Sequence, residues 1–232
     1  MGLLRDCYRR AIIAWHKPRH WKLRPHTLDA RLFRAVVVQD EYRLPRLTKD
    51  DVCLDVGAHV GSFALAAIRR GAGRVICCEP EPNNLKLLQS NALPYAQVEV
   101  RPVAVWSHAG TLHLHNPVDT RNTGAHQVGA TGMAVPAVAL DDLLRELGHV
   151  RLLKLDCEGA EWPLLHHSRE WNRVEELCGE YHLPPLVKPE CPASVSVLRE
   201  RLEAAGFRVE MAAAPGSTLP VGLFFARRGT KK

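Results

Sequence analysis

Residues 55–63 read Asp55-Val56-Gly57-Ala58-His59-Val60-Gly61-Ser62-Phe63, and the fold is decided here. The stretch is entered through Val52-Cys53-Leu54, the start of a short apolar run like that of a strand buried on both faces. It leaves into helix-like sequence from about Val60 to Arg70, which Gly71 and Gly73 stop. Gly57 therefore ends a strand and Gly61 opens a helix. Such a turn lets backbone approach a ligand and aims helix amides at it. A dinucleotide site would want the glycine triplet GxGxxG, which is absent, and this counts against an NAD-dependent oxidoreductase. An ordinary strand-to-helix turn is the bland alternative. For His59, ligand contact and a solvated loop position are equally open.

Reading outward, the alternation repeats. Strands are predicted at Arg74–Cys78, Val98–Arg101, Arg151–Asp156 and Glu175–His182. Helices are predicted at Pro82–Asn91, Ala160–His167 and Pro192–Ala205, with a short one over Asp141–Leu147 capped by Asp141. Thr111–His115 and Ala134–Leu140 alternate like paired antiparallel strands around a polar loop. Phe207–Ala212 and Val221–Ala226 suit a closing hairpin, and 3–15 and 28–38 suit N-terminal helices. The expected architecture is α/β: a doubly wound, mostly parallel seven-stranded sheet with a β-hairpin insertion and an N-terminal helical extension. The predicted division is 1–40 extension, 41–228 catalytic domain and 229–232 tail, with fraying expected from Arg227 onward. In such sheets ligands sit beyond the carboxyl ends of strands, where strand order reverses.

Two further strand ends carry chemistry. Glu79, followed by Pro80, lies 22 residues after Gly57. An acid here can accept hydrogen bonds from both ribose hydroxyls of a nucleoside; its alternative role is to cap the helix begun by Pro82. Asn84 reads as a first-turn residue of that helix. The second is Leu152-Leu153-Lys154-Leu155-Asp156-Cys157-Glu158-Gly159-Ala160-Glu161. Period-two alternation puts Lys154, Asp156 and Glu158 on one side. A lysine in a central parallel strand needs a partner, for which Asp55 and Asp156 are candidates. Lys154 and Glu161 read as structural, Asp156 and Glu158 as site residues. Glu180 and His182, near the end of the next strand, form a second candidate pair.

Bulk properties set bounds. The 232 residues carry 31 Lys+Arg against 25 Asp+Glu, a formal charge of +6. The excess clusters in the first 25 residues with Trp15 and Trp21 interleaved. A peripheral membrane or acidic-polymer contact is conceivable there, although tryptophans packing on the domain are favoured. Seven cysteines without CxxC spacing argue against a disulfide frame or zinc site. No signal peptide, myristoylation motif or ~18-residue apolar span is visible, so a cytoplasmic location is expected.

Asp55–Phe63, Glu79-Pro80, Ala139–Leu144 and Leu153–Glu161, in this order, resemble the FkbM-type methyltransferases. LKLDCEGAE and VCLDVGAHVGSF are the segments that carry the likeness, which spans roughly Asp40 to Phe225. The resemblance implies a class I, Rossmann-like methyltransferase using S-adenosylmethionine, with methyl transfer to oxygen of a sugar, glycan or polyketide-like acceptor. It implies cofactor contacts from Asp55, Gly57, Ala58, His59, Gly61, Glu79, Pro80, Ala104 and Asp156. It also places the first and fourth strands side by side at the switch point. One departure is Arg101-Pro102-Val103-Ala104-Val105, where an Asn is expected before the Ala.

A sugar hydroxyl stays protonated at neutral pH, so a base or metal should help remove its proton. Asp156 and Glu158 are the first candidates, with Glu180 and His182 second; His182 has the better ordinary pKa. Alternatively Asp156, Glu158 and Glu180 hold Mg²⁺. A nucleic-acid-binding protein of the same fold is the competing function, disfavoured because no aromatic–basic platform appears beyond residues 8–24. Loops 116–132 and 183–193 are expected to shape the acceptor pocket.

Overall fold

The computed structural model describes residues 11–187, 191–214 and 220–229. Residues 11–16 end a first helix (α1), whose expected start lies outside the described residues. The elements then run α2 (Asp29–Phe33), β1 (Val52–Val56), α3 (Ser62–Arg70), β2 (Arg74–Cys78), α4 (Pro82–Ala92), β3 (Val98–Arg101), β4 (Ala104–Trp106), β5 (Gly110–His115), β6 (Gln127–Gly129) and β7 (Met133–Ala139). They continue with α5 (Leu140–Leu147), β8 (Val150–Leu155), α6 (Glu161–His167), β9 (Val174–His182), α7 (Val195–Ala204), β10 (Phe207–Ala213) and β11 (Val221–Arg228).

Seven strands form one sheet in the order β10-β11-β9-β8-β1-β2-β3. The pairings β3–β2–β1–β8–β9 are parallel, while β11 runs antiparallel to both its neighbours. Strand order therefore reverses at β1, which pairs with β2 on one side and β8 on the other. The side-by-side placement of the first and fourth strands of the main sheet is borne out, as is the closing hairpin β10–β11.

Alternating side chains of the strands feed two cores. Leu54, Val56, Leu153 and Leu155 pack toward α5, α6 and α7 through Leu144, Trp162 and Leu198. Cys53, Val75 and Leu152 pack the other way, toward Phe63 and Ala67 of α3 and Leu88 of α4. Burying each such aliphatic chain contributes about 1.5–3 kcal/mol. Because both faces are covered, the strands are continuously apolar rather than alternating.

The insertion is larger than a hairpin. β5 and β7 pair antiparallel as expected, but β4 joins β7 in parallel and β6 joins β5, making a separate four-stranded sheet. Local patterning missed β4 because three residues give no period to read. Two terminal expectations also change. Asp141 caps no helix start of its own; α5 begins after Ala139 without a side-chain cap, and the Asp141 carboxylate accepts from the Arg169 and Glu170 amides instead. Arg227 and Arg228 are not tail but part of β11, where Arg228 donates to the carbonyls of Val174 and Ala205.

The described N-terminal segment packs on the domain. Trp21 is buried with Phe33 against Leu65 of α3, whereas Trp15 stands 87% exposed, so only one of the two tryptophans packs as expected. Residues 28–38 are helical but split, α-helix giving way to π-helix at Arg34–Val38. Cys53, Cys77, Cys78, Cys157 and Cys178 are free thiols. Among the described residues no helix is long and apolar enough to cross a membrane.

Candidate active site

A cavity of about 1340 Å³ opens above the carboxyl ends of the parallel strands. That exceeds the ~300–1,000 Å³ of ordinary small-molecule sites and leaves room for two ligands side by side. Gly57, Ala58, His59, Glu79, Pro80 and Ala104 line it together with Asp156, Glu158, Glu180 and His182. Ten of the candidate residues thus meet at one place. Loop residues between Asn116 and His126, Gln127 and Val128 of β6, and Leu186 also line it.

The turn after β1 owes its shape to its neighbour β8. Gly57 has φ +79°, and a Cβ there would lie 2.0 Å from the Asp156 carbonyl oxygen. Only glycine lets the end of β8 pass so close. Asp55 and Lys154 are register partners on β1 and β8. The Lys154 ammonium stands 3.0 Å from an Asp55 carboxylate oxygen and 3.9 Å from Asp156, and donates to the Gly57 carbonyl at 2.7 Å. Burial works against charge on both groups and pushes the Asp55 carboxyl up, yet Asp55 and Asp156 together hold the Lys154 ammonium above its ordinary range. The 3.0 Å separation decides for a charged pair.

Two expected cofactor contacts, Asp55 and Gly61, stand outside the cavity lining. Asp55 is fully buried beneath the turn and does not reach the cavity; its work is to neutralise Lys154. Gly61 does not line the cavity either. A Cβ on it would strike Leu88 at 2.8 Å and press on Trp21, so this glycine admits the N-terminal segment and α4 to the start of α3.

Glu79 accepts from the backbone amides of His59 (2.8 Å) and Glu81 (2.9 Å). Burial raises its carboxyl to about 7, against the pull of those amides. The alternative of a helix cap is excluded, because Glu81 caps α4 by accepting from the Asn84 amide. Asn84 sits in the first turn, as read, and donates to the Thr123 carbonyl. His59, in a left-handed conformation with φ 51°, is neither solvated nor free. Its Nε2 lies 2.8 Å from Thr123 and 2.9 Å from Arg24, beside Asp29. Burial, opposed by Asp29, lowers its imidazole to about 4. This node ties the N-terminal segment, the β1 turn and the 116–132 loop together over the cavity wall.

Across the β1 end stands an acidic cluster. The Tyr42 hydroxyl donates to Asp156 Oδ2 at 2.7 Å. His182 ends β9 and is gripped by the first turn of α6. Glu161 Oε1 accepts from both the His182 amide and Nδ1 at 2.8 Å, and the Trp162 indole donates to the His182 carbonyl at 2.6 Å. His182 Nε2 then faces Glu158 Oε2 at 3.3 Å. Burial alone would lower this imidazole, but Glu161 and Glu158 outweigh it and hold His182 well above its ordinary range. Burial lifts Glu158 to about 7 against the pull of His182. Burial and Asp156 lift Glu180 to about 8.

The expected metal set of Asp156, Glu158 and Glu180 differs in one member from the set that converges. Among the described residues the atoms that converge belong to Asp156, Glu158 and His182, each within 4.8 Å of the others. Two contributors escaped the sequence reading. Tyr42 lies 114 residues from Asp156 in a stretch without periodicity, and Glu161, read as structural, proves to orient His182. A hydrogen-bonding acid 21 residues before a strand-end histidine, on a different element, leaves no sequence signal.

This geometry can be set against known proteins. The sequence profile of the Methyltransferase FkbM domain matches residues 55–209, two thirds of the chain. The chain belongs to the FkbM methyltransferase family. No curated protein matches it in sequence. Among solved structures, methyltransferase FkbM from Methylobacillus flagellatus KT aligns with TM-score 0.54 and 15% identity over 97% of this chain and 60% of that one. Magnesium protoporphyrin IX methyltransferase from Synechocystis PCC 6803, with bound SAM, aligns with TM-score 0.50 and 15% identity over 98% and 96%. Precorrin-6y C5,15-methyltransferase from Geobacter metallireducens GS-15 aligns with TM-score 0.50 and 14% identity over 90% and 92%. At such identities the structural likeness establishes the class I methyltransferase fold of this FkbM domain, and the family rests on the profile match.

Proposed function

We propose that the protein transfers the methyl group of S-adenosylmethionine to a hydroxyl of a sugar, glycan or polyketide-like acceptor. One observation carries this reading. The glycine turn and Glu79 share a single cavity with Asp156, Glu158, Glu180 and His182, on opposite sides of the β1 end. The donor lies on the first side, its ribose hydroxyls donating to the lone pairs that Glu79 has left and its adenine packing beside Ala104. The acceptor lies on the second, in line with the methyl–sulfur bond. Alignment of this kind can supply ~7–11 kcal/mol of the barrier. The acceptor oxygen forms its bond to the methyl carbon as the carbon–sulfur bond breaks. Sulfur leaves as the neutral thioether of S-adenosylhomocysteine, and the hydroxyl proton passes to a carboxylate of the acidic cluster.

The acidity of this end counts against a nucleic-acid acceptor, whose phosphates would meet Asp156, Glu158 and Glu180. Incubation with labelled S-adenosylmethionine and a panel of saccharides, lipid-linked glycans, polyketides and RNA tests the assignment. Label appearing as a methyl ether on a hydroxylated small molecule is expected. Label appearing only on RNA, or no binding of the donor, would refute it.

Glu79 supplies a pH signature. Protonated below about 7, it loses the charge that ribose hydroxyls seek, so donor binding weakens as pH falls. The dissociation constant should rise roughly tenfold from pH 8 to pH 6 in the wild type. In Glu79→Gln it should be weaker throughout and flat over that window. A pH-independent wild-type constant by titration calorimetry would remove Glu79 from the donor site.

A further inference from the structure

We propose that Asp156, Glu158 and His182 form a binding site for one divalent first-row metal cation at the acceptor end of the cavity. This rests on the methyl-transfer reading for its purpose, though not for its geometry. Three ligand atoms, two carboxylate oxygens and one imidazole nitrogen, already lie within 4.8 Å of one another on the cavity wall. Cations with ligand bonds of ~2.0–2.2 Å draw such a set together with little movement.

The surrounding shell is that of a metal site. A metal-bound histidine characteristically donates its second ring nitrogen to a carboxylate, which sets the tautomer and the ring plane. His182 does this already: Nδ1 meets Glu161 at 2.8 Å, so Nε2 is the nitrogen turned to Glu158 and the cavity. Asp156 is oriented in turn by the Tyr42 hydroxyl. Charge balance points the same way. Glu41, Asp156, Glu158 and Glu180 line the cavity and Asp55 and Glu161 lie just behind it, and among the described residues these carboxylates outnumber the lining lysine and arginines, Lys154, Arg31 and Arg34. A divalent cation offsets two of those acids at once.

The donor set selects the metal. A nitrogen ligand beside two carboxylates suits Mn²⁺ or a later ion such as Co²⁺ or Zn²⁺ better than Mg²⁺, which prefers oxygen and retains its waters. The cation would hold the acceptor hydroxyl and make its proton easier to lose. Glu180, which lines the cavity outside the ligand set, would then receive that proton.

The test is metal binding to the chelator-stripped full chain, followed by loss of the free Mn²⁺ paramagnetic resonance signal and by calorimetry. One Mn²⁺ per chain is expected, with Mg²⁺ at least ~10-fold weaker. His182→Gln should weaken Mn²⁺ at least ~10-fold, and Glu161→Gln, acting through the ring orientation, ~10-fold or more. Should His182→Gln fail to fold, Glu158→Gln, whose side chain is partly exposed, serves in its place with the same expectation. Glu210→Gln, on an exposed strand face, should bind as wild type does. Absence of saturable Mn²⁺ binding, or unchanged binding in the folded variants, overturns the proposal. Donor binding measured without metal on the same protein separates the two readings. If donor binding persists and Mn²⁺ does not bind, only the metal fails; if Mn²⁺ binds and the donor does not, the metal site stands and the methyl-transfer reading fails.

Discussion

Asp156→Asn is expected to abolish turnover while leaving the donor bound. The side chain keeps its size and can still accept from the Tyr42 hydroxyl, so the β8 end should hold its shape. What disappears is a negative charge on the acceptor side of the cavity. Groups that take or steer a proton in the transition state contribute ~10²–10⁴-fold in rate. A fall of that size in kcat, with the S-adenosylmethionine dissociation constant changed less than about twofold, is the expected pair of results. Steady-state kinetics and calorimetry on one preparation report both. Retained turnover would remove Asp156 from the mechanism, and lost donor binding would move it to the donor side.

Lys154→Met should produce the largest loss of stability. Lys154 is 4% exposed and Asp55 fully buried, so removing the ammonium strands one carboxylate in the core and a second at its edge. Breaking a buried pair from one side costs about 3–5 kcal/mol. For a chain of this size each kcal/mol lowers Tm by ~2–4 °C, which places the expected drop at about 6–20 °C. The double variant Asp55→Leu/Lys154→Met, which removes both charges, should recover much of it. Donor affinity should also fall in the single variant, because Lys154 holds the Gly57 carbonyl at 2.7 Å. A Tm within a degree or two of wild type in heat-induced unfolding would show that the pair contributes little.

Lys154→Met acts on a constraint shared by both sides of the cavity. The buried pair fixes the end of β8 against the end of β1, and the missing Cβ of Gly57 lets the Asp156 carbonyl close the gap. Donor turn and acidic cluster are held by the same few atoms. A weakening of the ion pair should therefore be felt on both sides of the cavity.

The strands, their order along the chain and the strand-end residues Gly57, Glu79 and Asp156 were legible because each depends on local pattern: apolar runs of four to six residues, glycine punctuation, and acids at fixed offsets. The family likeness drew on the same local segments. Lys154 declared its need for a partner because a lysine inside an apolar strand has few ways to be satisfied. Other features depend on contacts between residues far apart in the chain, which no period or spacing encodes. Gly61 looks like a ligand-facing glycine until Trp21 and Leu88 are seen against it. Tyr42 acquires its role only where the N-terminal segment crosses the end of β8, and His182 only where α6 presents Glu161 to its ring. The four-stranded side sheet is of the same kind, since β4 is too short to signal itself and exists through pairing with β7. Sequence alone determined the scaffold and the acids at its strand ends, because backbone propensity and burial act over a few neighbouring residues. Tertiary structure alone decided which of those acids face the cavity and which are spent holding it, because charge pairing and close packing act through space between segments that the chain keeps apart.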